Sequence, residues 1–316
     1  MIVSNIDQVR GVIPINARVD FATLKPYIIV AEEKFLQPVL GDSFYKRLDE
    51  LENPNEKEAV VVKKCISAVA NYAMWHGFDM LNVTFDDSGF LRSGKDSGLY
   101  RYQEENLKSR FKNDAFDHLD SLIEYLQNNV SEFSEFKNSD FYVETSGSFF
   151  KTTSEFNKIY NINNSRLVYL QIARFFDRVI DFEIIPTTGQ ELYERIKDEM
   201  KKDDGDDDIM KLVPYIKKAL AFLAVAYGIN ELGLQVTEKG MFFETDEGDI
   251  KTTIASNELK EQIFTRVKNT GNSYKAMLWE FLRSNAEKYP EFTQLDDSIK
   301  SNPFRRDNSG KKTFFV

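Results

Sequence analysis

The sequence predicts a mainly α-helical protein made of two tandem, duplicated helical-bundle domains. Each domain is expected to carry one projecting β-hairpin, with an extended linker and extended termini completing the chain. Three observations predict this. Segments of the second half repeat segments of the first half in the same order. Apolar residues recur at three-and-four spacing through most of the chain. In each half that spacing changes to two over a short stretch containing glycine. With 316 residues the chain has room for two compact domains.

The repeat is carried by four segments. Ala68, Ala70, Ala73, Gly77, Leu81 and Gly89 meet Ala219, Ala221, Ala224, Gly228, Leu232 and Gly240 at an offset of 151. Leu122, Glu124, Leu126, Asn129, Glu135 and Phe136 meet Leu278, Glu280, Leu282, Asn285, Glu291 and Phe292 at an offset of 156. The run from Phe44 to Leu48 meets Leu192 to Ile196 at 148, and Tyr27 and Ala31 meet Tyr169 and Ala173 at 142. Short loop insertions account for the drift, because loops tolerate them best.

Within the first copy, Leu24 to Leu36 has the spacing of an amphipathic helix, and Pro38 and Gly41 end it. Asp42 is a good cap for a short helix to about Leu51, and Asn53-Pro54-Asn55 is a turn. A long helix rich in alanine is expected from Glu56 to Met80, matched by Ile209 to Leu232. Strand, turn and strand follow at 82–85, 86–89 and 90–92, and again at 234–236, 237–240 and 241–243. A last helix spans Tyr102 to Asn129 with a break near Asn113, and Asn257 to Lys288 with a break at Gly271.

These elements set the expected boundaries. Residues 1–136 form domain one with an N-terminal arm, 137–164 an extended linker, 165–292 domain two and 293–316 a C-terminal tail. The linker is rich in Ser, Thr, Asn and Phe, too apolar for a flexible spacer. The tail is basic and ends in aromatics, on a chain of net charge −10. Hairpins and tail are the expected contact pieces, through Phe85, Phe90, Met241, Phe242, Arg305, Arg306, Phe314 and Phe315.

Composition and motifs argue against catalysis. An acidic balance disfavours a surface that grips nucleic-acid phosphate or anionic lipid. One cysteine, Cys65, precludes an internal disulfide, and two histidines leave little for metal or triad chemistry. The start lacks the basic and apolar regions of a signal peptide, so a reducing cytosol is expected. The longest apolar run, Ala219 to Ile229, is about half the roughly 20 residues of a membrane span. Phosphate-loop, dinucleotide, zinc-protease and serine-hydrolase signatures are missing. The aspartate run at 203–208 lacks the alternation of a calcium loop and reads as a solvated loop. His118, one turn after Asp114, reads as a solvated face, and His76 aligns with Tyr227, which cannot shuttle protons near neutrality. No cofactor, metal or catalytic residue is expected.

The segment from Leu24 to Leu48 resembles the opening of a family found beside portal genes in tailed phages of Bacteroidetes hosts. Ala31, Glu32, Phe35, Leu36, Pro38, Leu40, Gly41, Phe44, Tyr45 and Leu48 carry the resemblance. The second copy departs from it, with Ile184, Ile185, Pro186 and Gly189 in place of the tight Pro-Val-Leu-Gly. The resemblance implies a head–tail connector or neck subunit of the virion, assembled in the host cytoplasm. It implies a homo-oligomeric ring, twelvefold, seated on the portal, in contact with the tail or other neck proteins, with DNA passing through the lumen. No membrane is implied. A second class is a non-viral helical scaffold or regulator that binds a protein. A third is an enzyme with an unfamiliar site, for which the 203–208 loop and the surroundings of His118 are the first suspects.

Overall fold

A computed structural model describes residues 1–16, 19–81, 83–86, 89–92, 100–202, 204–232, 235–237, 240–242 and 257–292. Unit one opens with α1 (Ile6–Arg10), whose start is a reciprocal cap. Asn5 Oδ1 accepts the Gln8 N–H at 3.0 Å and Gln8 Oε1 accepts the Asn5 N–H at 3.2 Å. Helix α2 (Phe21–Ala31), capped by Asp20, runs into a π-helical turn over Glu32–Leu36. Pro38 follows in α3 (Gln37–Leu40). Proline has no N–H to give, and it sits where the widened turn has already interrupted the ladder. Gly41, at φ 77° and ψ 154°, then swings the chain into α4 (Asp42–Asp49), a conformation reserved for glycine.

The long helix α5 (Glu56–Leu81) packs lengthwise on α6 (Arg101–Asn128). A single 3₁₀ turn at Val130–Glu132 and two short helices, α7 (Ser134–Lys137) and α8 (Asp140–Ser146), close the unit. Its core runs from Ile2 and Val3 through Phe44, Cys65 and Leu122 to Phe136.

Unit two repeats this order. Helices α9 (Thr153–Asn157) and α10 (Arg166–Ala173) stand where α1 and α2 stand, and α11 (Phe176–Val179) completes the second of these. A π-helical turn at Ile180–Ile184 leads to α12 (Ile185–Thr188) with Pro186, to Gly189 at φ 83° and ψ 152°, and to α13 (Gln190–Met200). Then come α14 (Asp207–Met210), α15 (Val213–Leu232) and α16 (Asn257–Ser284), with a 3₁₀ turn at Ala286–Lys288. The stretch from Asp207 to Leu232 is apolar enough to pass for a membrane span by composition. Instead 67% of that apolar window is buried inside unit two. The core of unit two, from Phe149 to Phe292, is separate from that of unit one.

The expected fold class needs correction on two counts. First, the fold is all-helical, with both cores built by helices, and a projecting hairpin is not one of its parts. What stands at those positions is two minimal antiparallel ladders: β1 (Val83–Asp86) with β2 (Gly89–Arg92), and β3 (Gln235–Thr237) with β4 (Gly240–Phe242). Their turn residues and side chains lie outside the described residues. A lone two-stranded pairing is marginal in water, so period-two spacing over a few residues is a poor warrant for a domain element.

Second, 137–164 is not extended. It holds the end of unit one and the arm of unit two, with the last residue of α7 and two short helices, α8 and α9. Ser139 and Thr152 within it are caps, Ser139 Oγ accepting the Tyr142 N–H and Thr152 Oγ1 the Glu155 N–H, each at 3.2 Å, and Ser165 just beyond it caps α10, accepting the Val168 N–H at 3.4 Å. Helices this short show no periodicity, which is why composition suggested a strap. The N-terminal arm is likewise packed, with Ile2, Val3, Val9 and Ile13 in the core. The breaks expected near Asn113 and Gly271 are also absent: α6 and α16 are each continuous over 28 residues. Gly271 is there for space, since a Cβ would lie 2.7 Å from Leu223 Cγ.

Candidate functional site: twin elbows and the joint between units

In each unit an arginine on the short helix after the glycine ties three segments together. Arg47 Nη1 donates to Glu135 Oε1 and Oε2 at 2.9 and 2.8 Å, and Nη2 donates to Glu58. Glu58 also accepts the Asn55 N–H at 3.0 Å, at the start of α5. In unit two Arg195 pairs with Glu291 at 3.2 Å and with Asp206 at 3.1 Å. Asp206 caps α14 by accepting the Asp208 N–H at 2.9 Å. Arg47 and Arg195, Glu58 and Asp206, and Glu135 and Glu291 occupy equivalent places in the two units. The triad holds the elbow to the entry of the long helix and to the exit of the last one.

The Asn55 N–H bond, helped by Arg47 and opposed by burial, holds the Glu58 carboxyl below the usual range. Burial pushes Glu135 up, but its backbone N–H bond, Arg47 and Ser134 outweigh that and hold it down. A carboxylate depressed in the folded state contributes stability that is present above its unfolded value and lost as pH falls through the folded one. Replacing Arg47 by methionine is therefore expected to destabilise unit one by about 1–2 kcal/mol at neutral pH, the guanidinium being one-third exposed. The same change should flatten the loss of stability below about pH 4.5. Urea unfolding at neutral and acidic pH, followed through Trp75 of unit one, checks both.

Unit one carries a further buried acid. Glu32 accepts the Val3 N–H at 2.8 Å and the Tyr45 O–H at 2.6 Å, fastening the N-terminal arm to the elbow. Burial raises its pKa, against the two hydrogen bonds. Unit two has Ile180 in that place, and its arm is held by Phe149, Phe150 and Phe156 in the core and by the Tyr169 O–H, which donates to Phe150 O at 3.1 Å.

A polar cleft of about 600 Å³ opens beside the elbow of unit one, walled by Glu33, Gln37, Asp42, Glu135 and Asp140 among others. Gln37 Nε2 donates to Asp42 Oδ1 across it at 2.7 Å. The charged residues of the wall, Glu33, Asp42, Glu135 and Asp140, are all carboxylates, so the cleft presents negative potential.

The two units meet where α6 abuts the arm of unit two. Asp120 Oδ1 accepts the Thr153 O–H at 2.6 Å and lies 3.3 Å from Arg166 Nη1. Asp117, one turn earlier, accepts the Arg166 backbone N–H. Two aspartates of α6 thus sit at the N-termini of α9 and α10, where helix dipoles favour negative charge. The cluster is dry: Asp120, Thr153 and Arg166 are all buried. Arg166 also lies over the Tyr169 ring, 5.0 Å from its centroid. Burial raises the pKa of Asp120, and Thr153 and Arg166 oppose it.

The contact residues expected from sequence are placed only in part. Phe85 and Phe90 are register partners across β1 and β2, and Met241 and Phe242 are neighbours on β4, opposite Val236 and Gln235. Arg305, Arg306, Phe314 and Phe315 lie outside the described residues. Two of the described aspartates of the acidic run are engaged: Asp206 caps α14 and pairs with Arg195, and Asp208 pairs with Lys211 and Lys288 at 2.7 and 3.0 Å. His118 is half-buried, and burial lowers its pKa. Sequence reasoning missed the elbow triads, although Arg47 and Arg195, and Glu135 and Glu291, had already been aligned; the signal was the joint recurrence of opposite charges. It also missed Asp120, whose place in the other copy is taken by Ala276 and which so leaves no repeat signal, and with it the pairing to Arg166.

Comparison with known proteins gives one match. A family model described as "Family of unknown function (DUF6712)" matches residues 36–146 and 184–301. The two matched segments begin at Leu36 and Ile184, the last residues of the two π-helical turns, 148 positions apart. No curated protein and no solved structure matches the chain. With more than half of its length matched, the chain belongs to this family of unknown function, DUF6712.

Proposed function

We propose that the chain is a structural subunit of a tailed-phage virion, a head–tail connector that forms a ring on the portal and joins it to the tail. The carrying observation is the rigid building of one helical unit twice: each copy is braced by an arginine triad, and the two are fastened by a buried ionic joint. A chain of that kind holds two equivalent modules at a fixed spacing, which suits closed assembly with other copies. The residues that carry the phage resemblance support the reading through the fold: Leu36, Pro38, Gly41, Phe44 and Tyr45 build the elbow of unit one. The negative net charge lets duplex DNA pass a lumen without being gripped.

Electron micrographs of the purified chain test this. Closed rings with a central opening wide enough for duplex DNA are expected. Particles of one or two chains at all concentrations would favour a helical scaffold that binds some other protein.

A further inference from the structure

Each of the two segments matched by the family model is followed by chain outside the match. After the first, which stops at residue 146, the chain runs on into the second unit and buries Phe149, Phe150 and Phe156 in its core. After the second, which stops at residue 301, comes 302–316, so this stretch is not part of the repeated unit. The tail from Ser298 carries Lys300, Arg305, Arg306, Lys311 and Lys312 against Asp307, on a chain of net charge −10. A segment of that charge is complementary to an acidic seat.

The cleft beside the elbow of unit one is such a seat. The groove along α16 mixes Glu258 and Glu261 with Arg266, and the hollow at the start of α5 holds the Lys57–Glu132 ion pair. In the elbow cleft every charged wall residue is a carboxylate. Glu135 is committed to Arg47, whereas Glu33, Asp42 and Asp140 are exposed and have no ion pair among the described residues. Its volume of about 600 Å³ lies within the roughly 300–1,000 Å³ of pockets that hold a ligand. The elbow of unit two does not repeat this wall. At the offset of 148, Asp181, Ile185 and Gln190 stand for Glu33, Gln37 and Asp42, and Gln190 Nε2 donates to Glu194 on its own helix at 2.8 Å.

We infer that the basic tail of a second copy of this chain seats in the unit-one cleft, with Arg305 and Arg306 against Glu33, Asp42 and Asp140. A guanidinium presents a fork of donors that pairs with both oxygens of a carboxylate, and here three carboxylates await such a partner. The segment that follows the first matched stretch docks on the unit ahead of it; the segment that follows the second does the same on the first unit of the next chain. Tail and cleft are different surfaces, so the contact is head-to-tail, and it closes into a ring when its rotation divides a full turn. The inference rests on the assembly reading above and supplies the contact through which assembly occurs.

Charge reversal on the full chain tests it, read by light scattering at about 0.1 M salt, where exposed charges still act over about 10 Å. A cleft variant, Glu33→Lys with Asp140→Lys, and a tail variant, Arg305→Glu with Arg306→Glu, are each expected to lose the oligomer. Mixed in equal amounts they should assemble again, because each tail then meets a cleft of opposite charge on the other protein. Should reversal in the cleft unfold unit one, Glu33→Gln with Asp140→Asn replaces it, and the concentration needed for assembly should rise about tenfold or more. Variants that assemble alone as the unmodified chain does overturn this contact and leave the assembly reading standing. Loss without rescue on mixing overturns the contact between copies. An unmodified chain that is monomeric throughout overturns both the contact and the assembly reading.

Discussion

Alanine in place of Gly41 is expected to cost unit one about 4 kcal/mol. Two effects add. At φ 77° and ψ 154° a side chain meets backbone strain of about 1–3 kcal/mol. The new Cβ also lies 2.8 Å from Ser139 Cβ, and overpacking of that kind costs about 1–3 kcal/mol. Ser139 cannot retreat cheaply, because its hydroxyl donates to Phe136 O at 2.8 Å and accepts the Tyr142 N–H that caps α8. Gly189 shares the backbone conformation, so alanine there is expected to cost unit two at least the strain alone, about 1–3 kcal/mol. Two tryptophans make the comparison direct: Trp75 lies in unit one and Trp279 in unit two. Urea unfolding of Gly41→Ala in a Trp279→Phe background should show an early transition, and an unchanged midpoint would mean that the elbow is not a constraint.

The second large effect is expected at the joint. Arg166→Ala leaves the Asp120 carboxylate buried with only Thr153 for company, and removal of one partner of a buried ion pair costs about 3–5 kcal/mol. The double variant Asp120→Leu with Arg166→Met should recover most of that, because an apolar pair of similar size needs no partner. The pH dependence carries a sign. The pKa of Asp120 is already raised in the folded state, and losing Arg166 raises it further. A raised carboxyl is least costly below its unfolded pKa and loses stability as pH rises through the folded value. The deficit of Arg166→Ala should therefore be largest at neutral pH and shrink on acidification. Thermal melts across that range decide it, and a deficit that grows in acid would refute the assignment of Asp120 as the stranded charge.

Much of this fold was legible in the sequence because duplication leaves two records of each element. The alanine-rich helices, the Pro-Gly elbow and the paired last helices all appear twice, and α6 and α16 have the same length. What failed to show has physical causes. The short helices at 134–157 are one or two turns each, so they carry no period, and only their caps announce them. Gly271 reads as a helix breaker until Leu223 is seen against it. The ladders at 83–92 and 235–242 drew more weight than their few residue pairs support. Of the candidate site, the charges of the triads were visible but not their pairing, which depends on where the chain folds back. The joint was invisible, because Asp120 has Ala276 in its place in the other copy and its pairing with Arg166 depends on how the units meet.

Native mass spectrometry of the purified chain tests the central claim most directly, that a twice-built helical unit serves to bind other copies of itself. A single dominant mass at a fixed multiple of 36.6 kDa, stable to dilution, is the expected result. A spectrum holding only the single chain, or an open ladder of every multiple, would contradict it.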